Sequence, residues 1–299
     1  MSSHAEAGRA LSFTDLIREG SRRLAQAQVE NPRLDAELLI AEAAGVTRAN
    51  LFAGSIELDD ETQRRFEALI GRRGAREPLA YITGRKEFYS IEFEVAPAVL
   101  VPRPETETIV DLALKFAAER RNCRLLDIGT GCGAIALAVA SNAPGVRVVA
   151  TDISTDALAI AQRNALRLGL ESRARFVHAD CWDTLDGGEP LGRFDIVVSN
   201  PPYVCDSEIV RLEPEIRDFE PRVALDGGPD GLDFYRRIAA GLGAHLVDGG
   251  AVILEAGKGQ ADSVAAMLQA TGCVDVSVSN DLSGIPRAVH AILSSAQTR

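Results

Sequence analysis

The segment Asn200-Pro201-Pro202-Tyr203 has the clearest chemical potential in the sequence. It follows an apolar run, 194–199, that suits a buried strand, and two prolines without N–H donors cannot continue a strand ladder. The chain must therefore leave the sheet at Asn200, whose amide both donates and accepts hydrogen bonds, while Tyr203 adds a flat aromatic face. This set can hold a planar amide or amino group, as in glutamine or adenine. Taken alone, it is equally consistent with a turn that ends a strand.

A glycine-rich turn further upstream is a candidate cofactor site. It follows a predicted strand, precedes a predicted helix, and consists of Gly129, Thr130, Gly131, Cys132 and Gly133. Glycines let the backbone pass close to a ligand at the carboxyl end of a parallel sheet, where open α/β folds bind their ligands. The GxGxG spacing differs from the GxGxxG fingerprint of dinucleotide-binding proteins.

Three further residues are candidate ligand contacts. Asp152 ends the second predicted strand, where a carboxylate can accept hydrogen bonds from both hydroxyls of a ribose. Asp127 directly precedes the glycine turn and either holds the far end of a ligand or caps the loop. Trp182, the only tryptophan, follows the third strand and offers an aromatic plane to a purine, although packing in a core or loop is an equal alternative.

Strands and helices alternate from residue 124 onward, which predicts a doubly wound α/β fold. We expect a seven-stranded, mostly parallel, Rossmann-like sheet with an antiparallel last strand. Its strands are predicted at 125–128, 147–151, 175–178, 194–199, 251–256, 274–279 and 288–293. The last two must pair antiparallel, because residues 280–287 are too few for a parallel crossover.

The sequence divides into three predicted regions. Residues 1–84 have helical periodicity, with a capping box at Ser12 and Asp15, and predict a bundle of four to five helices. The period changes to two within 85–101, which predicts a β-hairpin linker, and the α/β domain covers 102–299. The helical bundle contains no catalytic cluster, so recognition or support is its expected role.

Composition excludes several classes of protein. With 46% apolar and 25% charged residues the chain is typical of a globular protein, and we expect a cytoplasmic location because no apolar run or leader pattern is present. Five cysteines without a CxxC pair indicate reduced thiols, and four histidines without ligand spacing indicate that no metal is bound.

The net charge of −11 argues against a nucleic-acid surface, which needs a basic excess. Residues 1–84 carry 11 basic and 13 acidic side chains, and the remainder carries 21 and 30. The local exception is an arginine cluster formed by Arg64, Arg65, Arg72, Arg73 and Arg76. A solvated helix face is the favoured interpretation of this cluster, and a surface for an acidic or RNA-bearing partner is the alternative.

These motifs resemble a known family. LLDIGTGCGAIALAVA, the Asp152 strand end and VVSNPPY together resemble class I S-adenosylmethionine-dependent methyltransferases that act on planar nitrogens. Five further segments narrow the resemblance to the peptide chain release factor glutamine methyltransferases, the PrmC/HemK family: REPLAYITG, EFYSIEFEV, VPRPETE, EPEIRDFEPRVALDGGPDGLDFYR and DLSGIPRAV. The resemblance runs from about residue 10 to the C-terminus. Two departures are Ser90, where the family usually has glycine, and the variable pair Cys181-Trp182.

The resemblance implies methyl transfer from S-adenosylmethionine to the glutamine of the Gly-Gly-Gln loop in release factors. It implies that the glycine turn surrounds the methionine part of the cofactor, that Asp152 contacts the ribose and that Trp182 contacts adenine. Asn200 would contact cofactor and substrate, within a substrate clamp of Asn200, Pro201, Pro202 and Tyr203. We expect release factors as partners of a monomer that binds no metal, no membrane and no nucleic acid stably.

Three other functions are weighed against this one. An adenine-N6 DNA or RNA methyltransferase uses the same NPPY chemistry, but the acidic charge and the absence of a recognisable target-recognition domain count against it. A nicotinamide-dependent dehydrogenase is disfavoured by the GxGxG spacing and the antiparallel end of the sheet. A non-catalytic cofactor-binding module is disfavoured by the intact Asn200–Tyr203 segment.

Overall fold

The computed structural model describes residues 12–53, 58–185 and 187–294. It divides into two compact units, Met1–Thr83 and Gly84–Arg299, and each has a hydrophobic core of its own. Across the described ranges, no helix has the length and apolar character needed to cross a bilayer.

The smaller unit is helical, as its sequence periodicity predicts. Its helices are α1 (Phe13–Gln26), α2 (Pro32–Ala44), α3 (Arg48–Ala53), α4 (Asp60–Gly74) and α5 (Leu79–Thr83). The capping box is confirmed, since Ser12 Oγ accepts from the Asp15 N–H and the Asp15 carboxylate accepts from the Ser12 N–H. A Cβ at Gly20 would lie only 2.8 Å from Phe66 Cζ, so α1 and α4 pack closely because position 20 has no side chain.

Three members of the arginine cluster have partners within the smaller unit, although only Arg73 of them is buried. Arg73 is buried, with its Nε 2.7 Å from Asp35 Oδ2, and Arg72 Nη2 lies 2.5 Å from Glu77 Oε1. Arg76 donates to backbone carbonyls that follow α1. These three side chains therefore contact other residues of the same unit. The exposed basic surface is smaller than the five-residue cluster that the sequence indicates.

The larger unit is built on a β-hairpin and a mixed sheet. The hairpin strands are β1 (Arg85–Phe88) and β2 (Ile91–Glu94). The sheet strands are β3 (Arg124–Ile128), β4 (Arg147–Asp152), β5 (Ala174–Asp180), β6 (Asp183–Thr184), β7 (Phe194–Ser199), β8 (Leu246–Glu255), β9 (Cys273–Asn280) and β10 (Pro286–Leu293). Their order across the sheet is β6-β5-β4-β3-β7-β8-β10-β9.

The predicted sheet is confirmed, including its reversed last strand. β5, β4, β3, β7 and β8 pair parallel, whereas β10 lies antiparallel between β8 and β9. The one addition is β6, a two-residue strand that turns back antiparallel on the end of β5. A strand this short has no periodicity that a sequence could reveal.

Helices flank the sheet in the alternating order that the sequence predicts. They are α6 (Glu107–Ala118), α7 (Ala134–Asn142), α8 (Thr155–Arg167), α9 (Asp206–Ile209), α10 (Pro214–Phe219), α11 (Asp233–His245) and α12 (Ala261–Ala270). The short helices α9 and α10 follow the Asn200–Tyr203 loop and were not predicted. Residues 134–140 of α7 are all buried, so this helix is apolar on every side.

Within the larger unit, the hairpin is fixed by contacts with α8. Asn164 is buried, and its side chain accepts from the Glu94 N–H and donates to the carbonyls of Glu94 and Cys132. Arg163 Nη2 adds an ion pair at 2.6 Å to Glu94 Oε1. One asparagine thus connects the hairpin directly to the glycine turn.

Candidate active site

An open cavity lies at the carboxyl ends of β3, β4, β5 and β7. The sequence predicted many of its wall residues, namely Gly129, Thr130, Gly131, Cys132, Asp152, Asn200 and Pro202. Other parts of the wall were not predicted and include Phe88, Leu100, Arg103, Thr106, Val223 and Phe234. A largely apolar cavity with a few polar groups at this edge of an α/β sheet is typical of a ligand site.

The glycine turn has the conformation that its composition predicts. Gly131 has φ +57° and lines the cavity, and its N–H donates to Asp152 Oδ2 at 2.8 Å. Gly133 has φ +85° and immediately precedes α7, and a Cβ there would lie 3.0 Å from Leu137 Cδ1. Positive φ angles strain other residues, so glycine is required for the backbone to form this wall.

Asp127 lies beneath the turn and, among the described residues, is not part of the cavity wall. It is completely buried, and Thr130 Oγ1 donates to its Oδ2 at 2.6 Å. Burial raises the pKa of the Asp127 carboxyl to about 7, against the opposing hydrogen bonds from Thr130 and the Ala136 backbone. This placement favours the loop-capping alternative over contact with a ligand.

Asp152 reaches the cavity from the end of β4. Besides Gly131, the Ser154 N–H donates to its Oδ1 at 2.9 Å. Burial raises the pKa of Asp152, while these two backbone donors favour the ionised form. Each carboxylate oxygen retains a further lone pair, so Asp152 can still accept two hydroxyl groups, as the ribose prediction requires.

The structure places Trp182 away from the cavity, and this placement does not support the predicted adenine contact. The indole stacks on His245 at 4.7 Å between ring centroids, and its Nε1 donates to the Arg237 carbonyl at 3.0 Å. A Cβ at Gly241 would lie 2.1 Å from the indole nitrogen, so a glycine on α11 creates the space that the ring occupies. The cavity wall here is formed instead by Asp180 and Cys181.

The Asn200–Tyr203 segment leaves the sheet as the two prolines predict. Asn200 and Pro202 line the cavity, whereas Pro201 is buried and Tyr203 is partly buried outside the lining of the described chain. The Tyr203 hydroxyl lies 3.4 Å from Glu255 Oε1. Burial, followed by the Glu255 charge, raises the pKa of Tyr203, so the phenol stays neutral.

Two polar residues in contact with this segment were missed by the sequence reasoning. Asn200 Nδ2 donates to Thr106 Oγ1 at 3.3 Å, and Thr106 Oγ1 donates to Glu255 Oε2 at 2.5 Å. Glu255 is only 1% exposed, and burial raises its pKa to about 7. The available signal was a carboxylate at the end of the otherwise apolar strand 251–255.

Comparisons with known proteins assign the chain to a family. Residues 15–84 match the family model of the PrmC N-terminal domain, and residues 109–212 match that of the methyltransferase small domain. The release factor glutamine methyltransferase of Geobacter sulfurreducens is 43% identical over 269 residues, which are 89% of this chain and 91% of that protein. The chain belongs to the release factor glutamine methyltransferase family.

Two solved structures are similar to this chain. The protein-(glutamine-N5) methyltransferase of Alicyclobacillus acidocaldarius is 32% identical and covers 68% of this chain and 99% of that one, with a TM-score of 0.41. The hMettl16 catalytic domain, solved with the MAT2A 3'UTR hairpin 6, is 16% identical and covers 80% of this chain and 84% of that one. Its TM-score of 0.54 indicates a shared fold.

The matched ranges bear on which site residues the family models include. The methyltransferase match, 109–212, contains the glycine turn, Asp152 and the Asn200–Tyr203 segment. Thr106 and Glu255 lie outside it. The contacts of Thr106 with Asn200 and of Glu255 with Thr106 and Tyr203 are therefore observations of the tertiary structure, independent of the domain match.

Proposed function

We propose that this member of the release factor glutamine methyltransferase family transfers a methyl group from S-adenosylmethionine to the side-chain amide nitrogen of a release-factor glutamine. The observation that carries the proposal is the Asn200 amide at the wall of a cavity that Asp152 and the glycine turn also line. A group that recognises a planar amide thus lies beside a site suited to a ribose-bearing cofactor. The relatives named for the same reaction support this assignment.

The cavity residues fit S-adenosylmethionine. The Asp152 carboxylate suits ribose hydroxyls, and the turn Gly129–Gly133 would surround the methionine part, where the backbone approaches closely. Apolar wall residues such as Ile153 and Ala179 suit the faces of an adenine ring. When bound, the cofactor supplies an electrophilic methyl group on a positively charged sulfur.

The chain's own contribution is to align a weak nucleophile. An amide nitrogen is unreactive because its lone pair is delocalised into the carbonyl, and no histidine lines the described cavity wall to act as a base. We propose that Asn200 Oδ1 and the Pro201 carbonyl accept the two amide hydrogens, while Tyr203 packs against the amide plane. These acceptors fix the nitrogen in line with the methyl group and favour the positive charge that develops on it.

The proton is released to water after methyl transfer, when the nitrogen is most acidic. Val223 and Phe234, which both follow the Asn200–Tyr203 segment in the chain, add apolar wall to the same cavity. The chemistry therefore needs orientation of the amide rather than a strong base.

The remaining expectations about partners follow from this function. We propose that the helical bundle, 1–84, contributes to recognition of the release factor, with 85–101 as its link to the methyltransferase domain, 102–299. A glutamine in a loop offers too little surface to select one protein, because specific interfaces bury about 1,200–2,000 Å². We also propose a cytoplasmic monomer that needs no metal and binds no nucleic acid stably.

Methyl transfer with labelled S-adenosylmethionine tests the function. We expect label on an intact release factor, none on a release factor whose Gly-Gly-Gln glutamine is replaced by alanine, and none on duplex DNA or RNA. Asn200→Ala should abolish turnover while the Tm stays within a few degrees, since Asn200 lies at the cavity wall. Labelled nucleic acid and unlabelled release factor would reverse the assignment in favour of an adenine-N6 methyltransferase.

A further inference from the structure

Asn200 is held by a chain of hydrogen bonds that ends on a buried carboxylate. Its Nδ2 lies 3.3 Å from Thr106 Oγ1, which in turn lies 2.5 Å from Glu255 Oε2. Thr106 is 4% exposed and Glu255 is 1% exposed. The three residues come from the segment before α6, the loop after β7 and the end of β8.

The direction of these hydrogen bonds is determined by the carboxylate. An ionised carboxylate only accepts, so Thr106 must use its single hydroxyl proton on Glu255. The Thr106 oxygen can then only accept from Asn200, which turns the Asn200 NH2 toward Thr106. The Asn200 oxygen is left for an incoming NH2 group.

The opposite orientation would be incompatible with an amide acceptor. If Thr106 donated to Asn200, the Asn200 NH2 would face the NH2 of the methyl acceptor, donor against donor. A site that leaves buried polar groups unpaired in this way loses binding and alignment. The ionisation of Glu255 thus determines whether the Asn200 oxygen faces the methyl acceptor.

We propose that Glu255 is a positioning residue that acts through Thr106 to orient the Asn200 amide toward the methyl acceptor. The inference rests on the proposed function and deepens it, because it names what prepares the amide-recognising group. A second contact of Glu255 also positions the substrate clamp. Its Oε1 lies 3.4 Å from the Tyr203 hydroxyl, so one carboxylate contacts two members of the substrate clamp.

Two observations distinguish this role from simple support of the fold. The Thr106 hydroxyl makes no hydrogen bond to the backbone of α6, so its recorded contacts are those with Asn200 and Glu255. Burial also raises the pKa of Glu255 to about 7, so the ionised form is held at the expense of stability.

Several charged and titratable groups face Glu255 and bear on its protonation. Arg287 on β10 favours the ionised form, and Glu105 beside Thr106 opposes it. Tyr203 also donates to the carboxylate, and Tyr235 on α11 donates to the Glu255 backbone carbonyl at 2.9 Å. The orienting effect should therefore be half developed near pH 7, where half of the carboxyl is ionised, rise above it and weaken as pH falls below it.

Kinetics of matched variants test the proposal on an intact release factor. Thr106→Val, which keeps the shape and removes the hydroxyl, should lower kcat about 10- to 100-fold. Thr106→Ser, which restores the hydroxyl, should stay within about threefold of the wild type, and the S-adenosylmethionine Kd of both should change less than about twofold. Wild-type kcat in Thr106→Val would overturn the proposal.

The pH profile of Glu255→Gln supplies a readout that a structural role would not change. Wild-type kcat should exceed that of Glu255→Gln about tenfold or more at pH 8.5, and the two should converge below pH 6, where the wild-type carboxyl is protonated. A ratio that stays constant with pH would contradict an orienting role for the ionised carboxylate.

A measurement without turnover separates this inference from the proposed function. In 15N-edited spectra, one Asn200 Nδ2 proton should exchange slowly in the wild type and rapidly in Thr106→Val, with Asn200→Asp assigning the signal. A wild type that methylates no glutamine would refute the function alone. Equal exchange in wild type and Thr106→Val would refute the positioning role alone.

Discussion

Replacing Glu255 with glutamine should stabilise the larger unit while it impairs the reaction. The carboxyl is 1% exposed, and burial raises its pKa from 4.5 to about 7. The folded state therefore binds a proton more tightly than the unfolded state, so ionisation works against folding. Glutamine is neutral at every pH, so it does not carry this cost of ionisation.

The size of this gain in stability follows from the difference between the Glu255 pKa in the unfolded chain, 4.5, and in the folded protein, about 7. A shift of this size corresponds to at most about 3 kcal/mol of unfolding free energy once pH exceeds both values. The cost is nearly absent below the unfolded pKa of 4.5, grows through the interval, and is complete above about pH 7. We expect the free energy of unfolding of Glu255→Gln to exceed that of the wild type by less than about 1 kcal/mol at pH 5 and by about 3 kcal/mol at pH 8.

Urea denaturation at both pH values, followed by circular dichroism, measures this difference. Glu171→Gln, which makes the same chemical change on an exposed loop after α8, is the matched control for the substitution itself. A Glu255→Gln variant that is less stable than wild type at pH 8 would refute the reasoning. In that case the hydrogen bonds from Thr106 and Tyr203 would outweigh desolvation.

Three further substitutions test other parts of the structure. Asp152→Ala should weaken S-adenosylmethionine binding at least about tenfold by calorimetry, with Asp152→Asn in between because it keeps one acceptor; unchanged affinity would remove the ribose assignment. Trp182→Phe should change that affinity less than about twofold, and a tenfold loss would restore the predicted adenine contact. Arg65→Glu should slow methylation of an intact release factor more than that of a Gly-Gly-Gln peptide. Equal slowing of both substrates would indicate that the helical bundle only supports the methyltransferase domain. Arg73→Glu is the control for Arg65→Glu: breaking the buried pair with Asp35 should cost about 3 kcal/mol or more in stability.

Features with a local physical cause were predictable from the sequence. Two prolines after an apolar run end a strand wherever they occur, and a short connection between two strands requires antiparallel pairing. The positive φ angles at Gly131 and Gly133 likewise follow from a turn that only glycine adopts without strain. These rules were enough to predict the sheet, its reversed last strand and several residues of the cavity wall.

Features that depend on distant residues were not predictable in this way. Trp182 was assigned to a purine because of its type and place after β5, but its orientation depends on the space at Gly241 on α11. The sequence favours an exposed face for the arginine cluster, but Arg73 is buried against Asp35, on another helix. A side chain's direction is decided by contacts that its own neighbours in sequence do not reveal.

The candidate active site contains both features that the sequence predicts and features that only the tertiary structure shows. The residue types at Asn200–Tyr203 were sufficient to identify a group that recognises a planar amide, because an amide's donors and acceptors are intrinsic to it. Which way that amide faces depends on Thr106 and Glu255, which lie 94 residues before and 55 residues after it in the chain and join it only in the folded sheet. The sequence by itself determined the chemistry that is available, and the tertiary structure decided its orientation, since a hydrogen bond has a direction only once both partners are in place.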